Sequence, residues 1–275
     1  MRRRYAAAVL VLVLAAAGYV AHRLWVKSGD ELRPAYIARD ADAQLLVDPP
    51  LGARLQALLD GKHPAPAQRE KLIALTFDDG PYPVTTPLLV QTLHDLHVPA
   101  TFFLIGRDAQ QFPALTQAIA ANGNEIADHT LTHPDLDKLD AAAVAAELRG
   151  GTEALAAIAP DPAERADFRP PHGRYTVATV RAAQAAGYAT VLWNDDPGDW
   201  RAVTPGVLAD HVLGHASAPE ILLLHDGRVP TVAMLAGVVT RFRSAGYTFV
   251  TAGELLRRVP PAHLNDPAPT ALPRE

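Results

Sequence analysis

The sequence predicts an α/β fold in which parallel strands alternate with helices and curl into a barrel. Three observations carry this. Short apolar, β-rich runs recur at 72–77, 100–105, 125–127, 168–169, 190–193, 221–224 and 247–250. Helical patterns separate them at 87–97, 109–121, 141–158, 177–186, 205–215 and 231–245. Gly123, Gly187 and Gly246 punctuate three of those helix ends, as C-terminal caps do. Strands alternating with helices of this length mean a parallel sheet. Seven such units in one domain suit a barrel better than an open sheet.

The elements also show where chemistry would sit. The first strand is apolar from Leu72 to Phe77 and ends in Asp78-Asp79-Gly80. The second is rich in Thr and Phe. The third runs into Asp128-His129 and the fourth into Arg169. The fifth is followed by 194–199, and the sixth by His225-Asp226. In α/β barrels the C-terminal strand ends carry the active site. Convergent charge after five strands is hard to explain as structure alone.

Composition narrows the chemistry. The chain has 275 residues, enough for one barrel with tails. At 49% hydrophobic and 20% charged residues it can bury a sizeable core. A net charge of −5 argues against a nucleic-acid partner, which needs a basic face. Cysteine is absent, which removes disulfides, thiolate metal sites and cysteine nucleophiles. Serine occurs only at Ser28, Ser217 and Ser244, none of them in a nucleophile-elbow turn. Imidazoles, carboxylates and a metal remain.

The N-terminus reads as an export signal. Arg2, Arg3 and Arg4 precede an apolar run, 5–21, which resumes at Leu24-Trp25-Val26. Residues 1–27 are expected to be a signal peptide, cleaved near Ala15-Ala16-Ala17, or a signal anchor at the lower length limit for a spanning helix. Either way the remainder is sent out. The protein would be membrane-anchored through this helix and face the periplasm or cell exterior, or be secreted. Residues 28–69, broken by prolines, form a stem that includes an amphipathic segment at 51–59. Residues 70–259 form the catalytic domain, and 260–275 a disordered tail.

Two motifs suggest a metal hydrolase. Adjacent side chains in a strand diverge, so Asp78 and Asp79 should have different partners. His129 and His133 have the i, i+4 spacing that puts two imidazoles on one face of a helical turn. With Asp79 they make a two-histidine, one-carboxylate set, which describes a catalytic zinc site with a position left for water. Such a metal acidifies its water and polarises a carbonyl.

These residues resemble the polysaccharide deacetylase family (the NodB homology domain, carbohydrate esterase family 4). Five motifs match in order across about 70–259. Thr76-Phe77-Asp78-Asp79-Gly80 is similar to the first and His129-Thr130-Leu131-Thr132-His133 to the second. Arg169-Pro170-Pro171-His172-Gly173 resembles the third, Asp196-Pro197-Gly198-Asp199-Trp200 the fourth, and Leu223-Leu224-His225-Asp226 the fifth. The resemblance implies a distorted (β/α)7 barrel and metal-dependent removal of N-acetyl or O-acetyl groups from an envelope or extracellular glycan. It implies a divalent metal on Asp79, His129 and His133: Zn2+ first, with Co2+, Ni2+ or Mn2+ able to bind. It makes Asp78 the general base, oriented by Arg169, and His225 the general acid, partnered by Asp199. Trp200 and Leu223 would line a pocket for the acetyl methyl. A backbone N–H near His172 would hold the oxyanion. Family members usually carry Tyr where this chain has His172, and the change would alter substrate contacts. Asp195, Asp196 and Asp226 are expected to shape loops, and His94, His97, His211 and His215 to be surface residues. The partner is an acetylated glycan and the protein a monomer. A deformylase or deacetylase of a lipid-linked amino sugar would use the same site. A silent glycan-binding domain would hold no metal.

Overall fold

A computed structural model describes residues 36–37, 70–159, 167–259 and 268–269. Seven parallel strands form the frame: β1 Leu72–Asp78, β2 Thr101–Leu104, β3 Glu125–Asp128, β4 Asp167–Phe168, β5 Ala189–Val191, β6 Glu220–His225 and β7 Thr248–Phe249. The strand order is β5-β4-β3-β2-β1-β6, with β7 also paired to β1. Register is set on β1, where Asp78 faces His225 of β6 and Phe103 of β2. The chain beyond β5 then reaches back to β6. Asp195 bridges Leu222, and Leu223 donates its N–H to the Asp195 carbonyl at 2.9 Å. This bridge joins the two ends of the curl, as a distorted barrel requires.

Among the described residues, eight α-helices accompany the strands: α1 Thr85–Leu96, α2 Gly106–Gln111, α3 Pro113–Ala121, α4 Ala141–Ile158, α5 Val177–Ala185, α6 Pro205–Gly214, α7 Val229–Ser244 and α8 Ala252–Arg258. Side chains alternate along a strand, so each strand of a covered barrel has two buried faces. On β1, Ile73, Leu75 and Phe77 pack outward against Leu89 and Leu93 of α1 and Leu235, Val238 and Phe242 of α7. Leu72 and Ala74 point inward to Phe103, Ala127, Val191 and Ile221. Further along the inner face the apolar residues give way to Thr76 and Asp78, and the interior becomes polar towards the strand ends.

The structure departs from the sequence expectation in three places. The single helix expected at 109–121 is two, broken at Phe112 (φ −126°, ψ 60°). The cause is Pro113, which disfavours helical backbone in the residue before it. Helix α8 was not expected. It closes the far end of the barrel, with Ala252 N–H donating to Thr101 Oγ1 at 2.8 Å and Gly253 N–H to Glu125 Oε2 at 2.9 Å. The third departure, at 129–133, concerns the site and is described below. Gly123, Gly187 and Gly246 do follow helix ends with φ of 76°, 87° and 84°.

Within the proposed stem, Tyr36–Ile37 pairs antiparallel with Thr190 and Val191 of β5. Within the proposed tail, Ala268–Pro269 pairs antiparallel with Ser217–Ala218. The export segment 1–27 and the helical segment at 51–59 lie outside the described residues. Among the described residues no helix is long and apolar enough to cross a membrane.

Candidate metal centre and the groups around it

The site grows from the end of β1. Strand alternation points Asp78 into the barrel, where it is 4% exposed. The next residue, Asp79, takes a left-handed backbone with φ 73°. That breaks the alternation, so two consecutive carboxylates serve one mouth. Their main partners differ. Arg169 holds Asp78 Oδ1 at 2.7 Å, and His133 Nε2 lies 3.2 Å from Asp79 Oδ1. They also meet at His129, whose Nε2 is 3.5 Å from Asp79 Oδ1 and 3.8 Å from Asp78 Oδ2. The loop that follows is pinned by Asp226. It accepts hydrogen bonds from Thr85 Oγ1 at 2.6 Å, from Thr86 Oγ1 and from Gly227 N–H at 2.7 Å. A side chain at Gly80 would put its Cβ 2.8 Å from Asp226 Oδ2 and displace the carboxylate that pins the loop. Asp226 shapes this loop, as expected.

The two histidines converge by a different route from the helical turn expected. Residues 129–133 are not helical, and Thr130 (φ 72°) and His133 (φ 60°) are left-handed. Asp128 causes the fold of this turn. Its Oδ1 accepts the Thr130 N–H at 2.6 Å, and Thr130 Oγ1 accepts the His133 N–H at 2.9 Å. Gly151 of α4 makes room, since a Cβ there would lie 2.3 Å from Asp128 Oδ1. Burial pushes the Asp128 carboxyl up to about 7, against hydrogen bonds from Thr152 and Thr130.

Asp79, His129 and His133 each offer one ligand atom, and these atoms lie within 4.8 Å of one another. The donor set fits a divalent cation. His129 Nδ1 lies 2.8 Å from the Arg169 carbonyl, which can only accept, so Nδ1 carries a proton and Nε2, the nitrogen facing Asp79, is the one that would give up its proton to a cation. Burial works to raise the Asp79 carboxyl, but hydrogen bonds from both imidazoles outweigh it and the group is held below its ordinary range. His129 is raised. Burial opposes its charge, but the Asp78 charge and the Asp79 hydrogen bond prevail.

Arg169 follows β4 and is wholly buried. Its guanidinium donates to Asp78 Oδ1, to Thr76 Oγ1 at 2.8 Å, and to the carbonyls of Val191 at 3.2 Å and Leu192 at 3.0 Å. Phe103 lies under it, with the ring centroid 4.1 Å from Cζ. This is a buried cation held by four hydrogen bonds, with one carboxylate to aim.

Across the mouth, His225 ends β6 beside Asp78. Asp199, 1% exposed, clamps it twice: Oδ1 lies 2.7 Å from Nδ1, and Oδ2 accepts the backbone N–H at 2.8 Å. Thr231 Oγ1 donates to the same Oδ2 at 2.7 Å. Burial opposes charging His225, but the Asp199 hydrogen bond and the charges of Asp78, Asp199 and Asp79 raise it above its ordinary value.

The remaining predicted residues stand as follows. Leu223 is 3% exposed, two residues before His225 on the same strand face. Trp200 adjoins Asp199 but is 47% exposed, with the Arg201 guanidinium stacked 4.5 Å from its ring centroid. His172 is exposed, with φ 57°. Its ring centroid is 4.7 Å from that of His133, and its Nδ1 is 2.9 Å from Asp135 Oδ1. His211, expected to be a plain surface residue, is instead 3.0 Å from Asp195 Oδ1 through Nε2. Sequence reasoning assigned no role to Thr76, Thr130 and Thr231, and counted Asp128 only among the charges at the strand ends. Only Asp128, beside His129 at a strand end, carried a signal.

Comparison with known proteins places this arrangement. The family model described as polysaccharide deacetylase matches residues 65–191. A peptidoglycan-N-acetylglucosamine deacetylase of Bacillus cereus is 39% identical over 195 residues, covering 68% of this chain and 89% of that protein. A chitooligosaccharide deacetylase of Sinorhizobium fredii is 36% identical over 191 residues, covering 70% and 85%. Among solved structures, the Bc1960 peptidoglycan N-acetylglucosamine deacetylase superposes with a TM-score of 0.65 at 30% identity, covering 68% of this chain and 89% of that one.

Proposed function

This chain belongs to the polysaccharide deacetylase family and is a hydrolase, and we propose that it removes acetyl groups from an N-acetylglucosamine-containing glycan of the cell envelope. The support is the convergence at one mouth of Asp79, His129 and His133 with the Asp78–Arg169 and His225–Asp199 pairs. The names of the two relatives point to peptidoglycan and chitooligosaccharides as the first substrates to try.

Asp79, His129 and His133 would hold a divalent cation, for which we propose zinc; cobalt, nickel or manganese suit the same donors. When bound, the ion supplies Lewis acidity that polarises an acetyl carbonyl and eases deprotonation of water. The protein's own groups do the rest. Arg169 occupies Asp78 Oδ1 and leaves Oδ2, the oxygen on the His129 side, free to take a proton from the attacking water. His225 carries its proton on the far side. The Asp199 contact at Nδ1 directs Nε2 towards the departing amine or alcohol. The two groups must begin in opposite states, base ionised and acid protonated, and their separate partners provide this. Leu223 and Trp200 would line the acetyl-methyl pocket, and the backbone at His172 would meet the oxyanion.

Export with a membrane tether, carried by Arg2, Arg3 and Arg4 and the apolar run at 5–21, remains part of the proposal. The testing experiment is acetate release from chitooligosaccharides, peptidoglycan and acetylxylan by purified protein, with elemental analysis of the same sample. We expect one divalent metal per chain and acetate from at least one glycan, lost on chelation and restored by metal. Turnover that ignores chelators would refute the assignment.

A further inference from the structure

Tyr82 has no part in the chemistry described above, yet it is built like a binding group. Among the described residues, the exposed Phe, Tyr or Trp side chains are Tyr82, at 42%, and Trp200. A lone exposed aromatic needs no explanation. This one is braced. Its N–H donates to Thr86 Oγ1 at 2.6 Å and its carbonyl accepts the Thr86 N–H at 3.1 Å. Its ring rests on Gly227, where a Cβ would come within 3.0 Å of Cε2 and 3.1 Å of Cδ2, so a side chain there would have to push the ring aside. Gly227 is also left-handed, with φ 82°. Asp226 ties Thr85 and Thr86 of the one loop to Gly227 of the other. Tyr82 therefore lies across a stitched seam, three residues beyond Asp79 and beside a loop that begins two residues after His225. Its hydroxyl sits in the fields of Asp79, Asp108 and Asp226. Two exposed apolar side chains stand close by in sequence, Val84 two residues after Tyr82 and Val229 two residues after Gly227.

We infer that Tyr82, seated on Gly227, is a stacking platform for a saccharide ring next to the one that loses its acetyl group. The inference rests on the deacetylase reading above and names how that site holds a chain longer than one sugar. The C–H face of a pyranose is apolar and its rim is polar. A phenol offers a flat apolar face and a hydroxyl to match. Because the ring is already held, little side-chain freedom is lost on binding. Trp200, the other exposed aromatic, adjoins Asp199, whose carboxylate holds His225.

The probe is tetra-N-acetylchitotetraose, with binding measured by calorimetry on the metal-loaded protein and acetate followed in the same samples. Replacing Tyr82→Ala should weaken binding about tenfold, and Tyr82→Trp should restore it. The loss should be larger for the tetramer than for free N-acetylglucosamine, a length dependence that a merely structural role would not produce. Equal binding by wild type and Tyr82→Ala, or no binding by wild type, overturns the platform. Wild-type binding without acetate release would instead refute the deacetylase reading and leave the platform standing.

Discussion

Two imidazoles, His129 and His225, stand at the strand ends, and both have carboxylate neighbours. His129 turns Nδ1 to a backbone carbonyl and Nε2 to Asp79 and Asp78. His225 turns Nδ1 to Asp199, a buried carboxylate. A carbonyl fixes the tautomer and adds no charge, and the free lone pair then suits a cation. A carboxylate at Nδ1 favours the imidazolium, and the opposite nitrogen then suits a proton donor. What binds Nδ1 thus separates a ligand from an acid, although the two rings share the neighbour Asp78.

The sharpest way to break this comparison is to remove each ring in turn. His129→Ala should empty the metal site and abolish turnover. His225→Ala should keep the metal and lower kcat by about 10²–10⁴-fold. Metal content by elemental analysis beside kcat distinguishes them, and equal metal loss in both variants would end the distinction. A smaller effect comes from Asp199→Asn. With its folded value raised, His225 keeps its proton into more alkaline solution, and activity falls as pH rises through that value. Without the carboxylate the alkaline limb of the kcat profile should move to lower pH, with kcat down roughly ten- to a hundredfold. An unmoved limb would assign that limb to another group.

The last effect falls on stability and leaves turnover aside. Asp128 is neutral in the folded chain up to about 7 but ionises near 3.8 when unfolded. Its stabilisation is complete below the lower value and is lost as pH rises towards the higher one, at most on the order of 4 kcal/mol. Asp128→Asn should flatten the decline of melting temperature across that window. An unchanged slope would mean that Asp128 is not the group responsible.

Most of the frame was legible because β1 is buried on both faces and reads as a continuous apolar run. The glycines after three helices were legible too, since a left-handed cap favours a residue without a Cβ. The site residues were legible as motifs, but their assembly was not. The turn at 129–133 depends on a side chain, Asp128, bonding forward to Thr130, and on a glycine one helix away. Periodicity contains neither. Thr231 offers a hydroxyl to Asp199 only because α7 begins there. Helix α8, seven residues long, is too short to show a period.

The central claim is that metal retention and proton transfer reside in different residues at one mouth. The direct measurement is acetate release and metal content of Asp78→Asn beside wild type, on whichever glycan the wild type deacetylates. The predicted result is wild-type metal content with acetate release reduced by about 10²–10⁴-fold. Full activity in that variant would contradict the account.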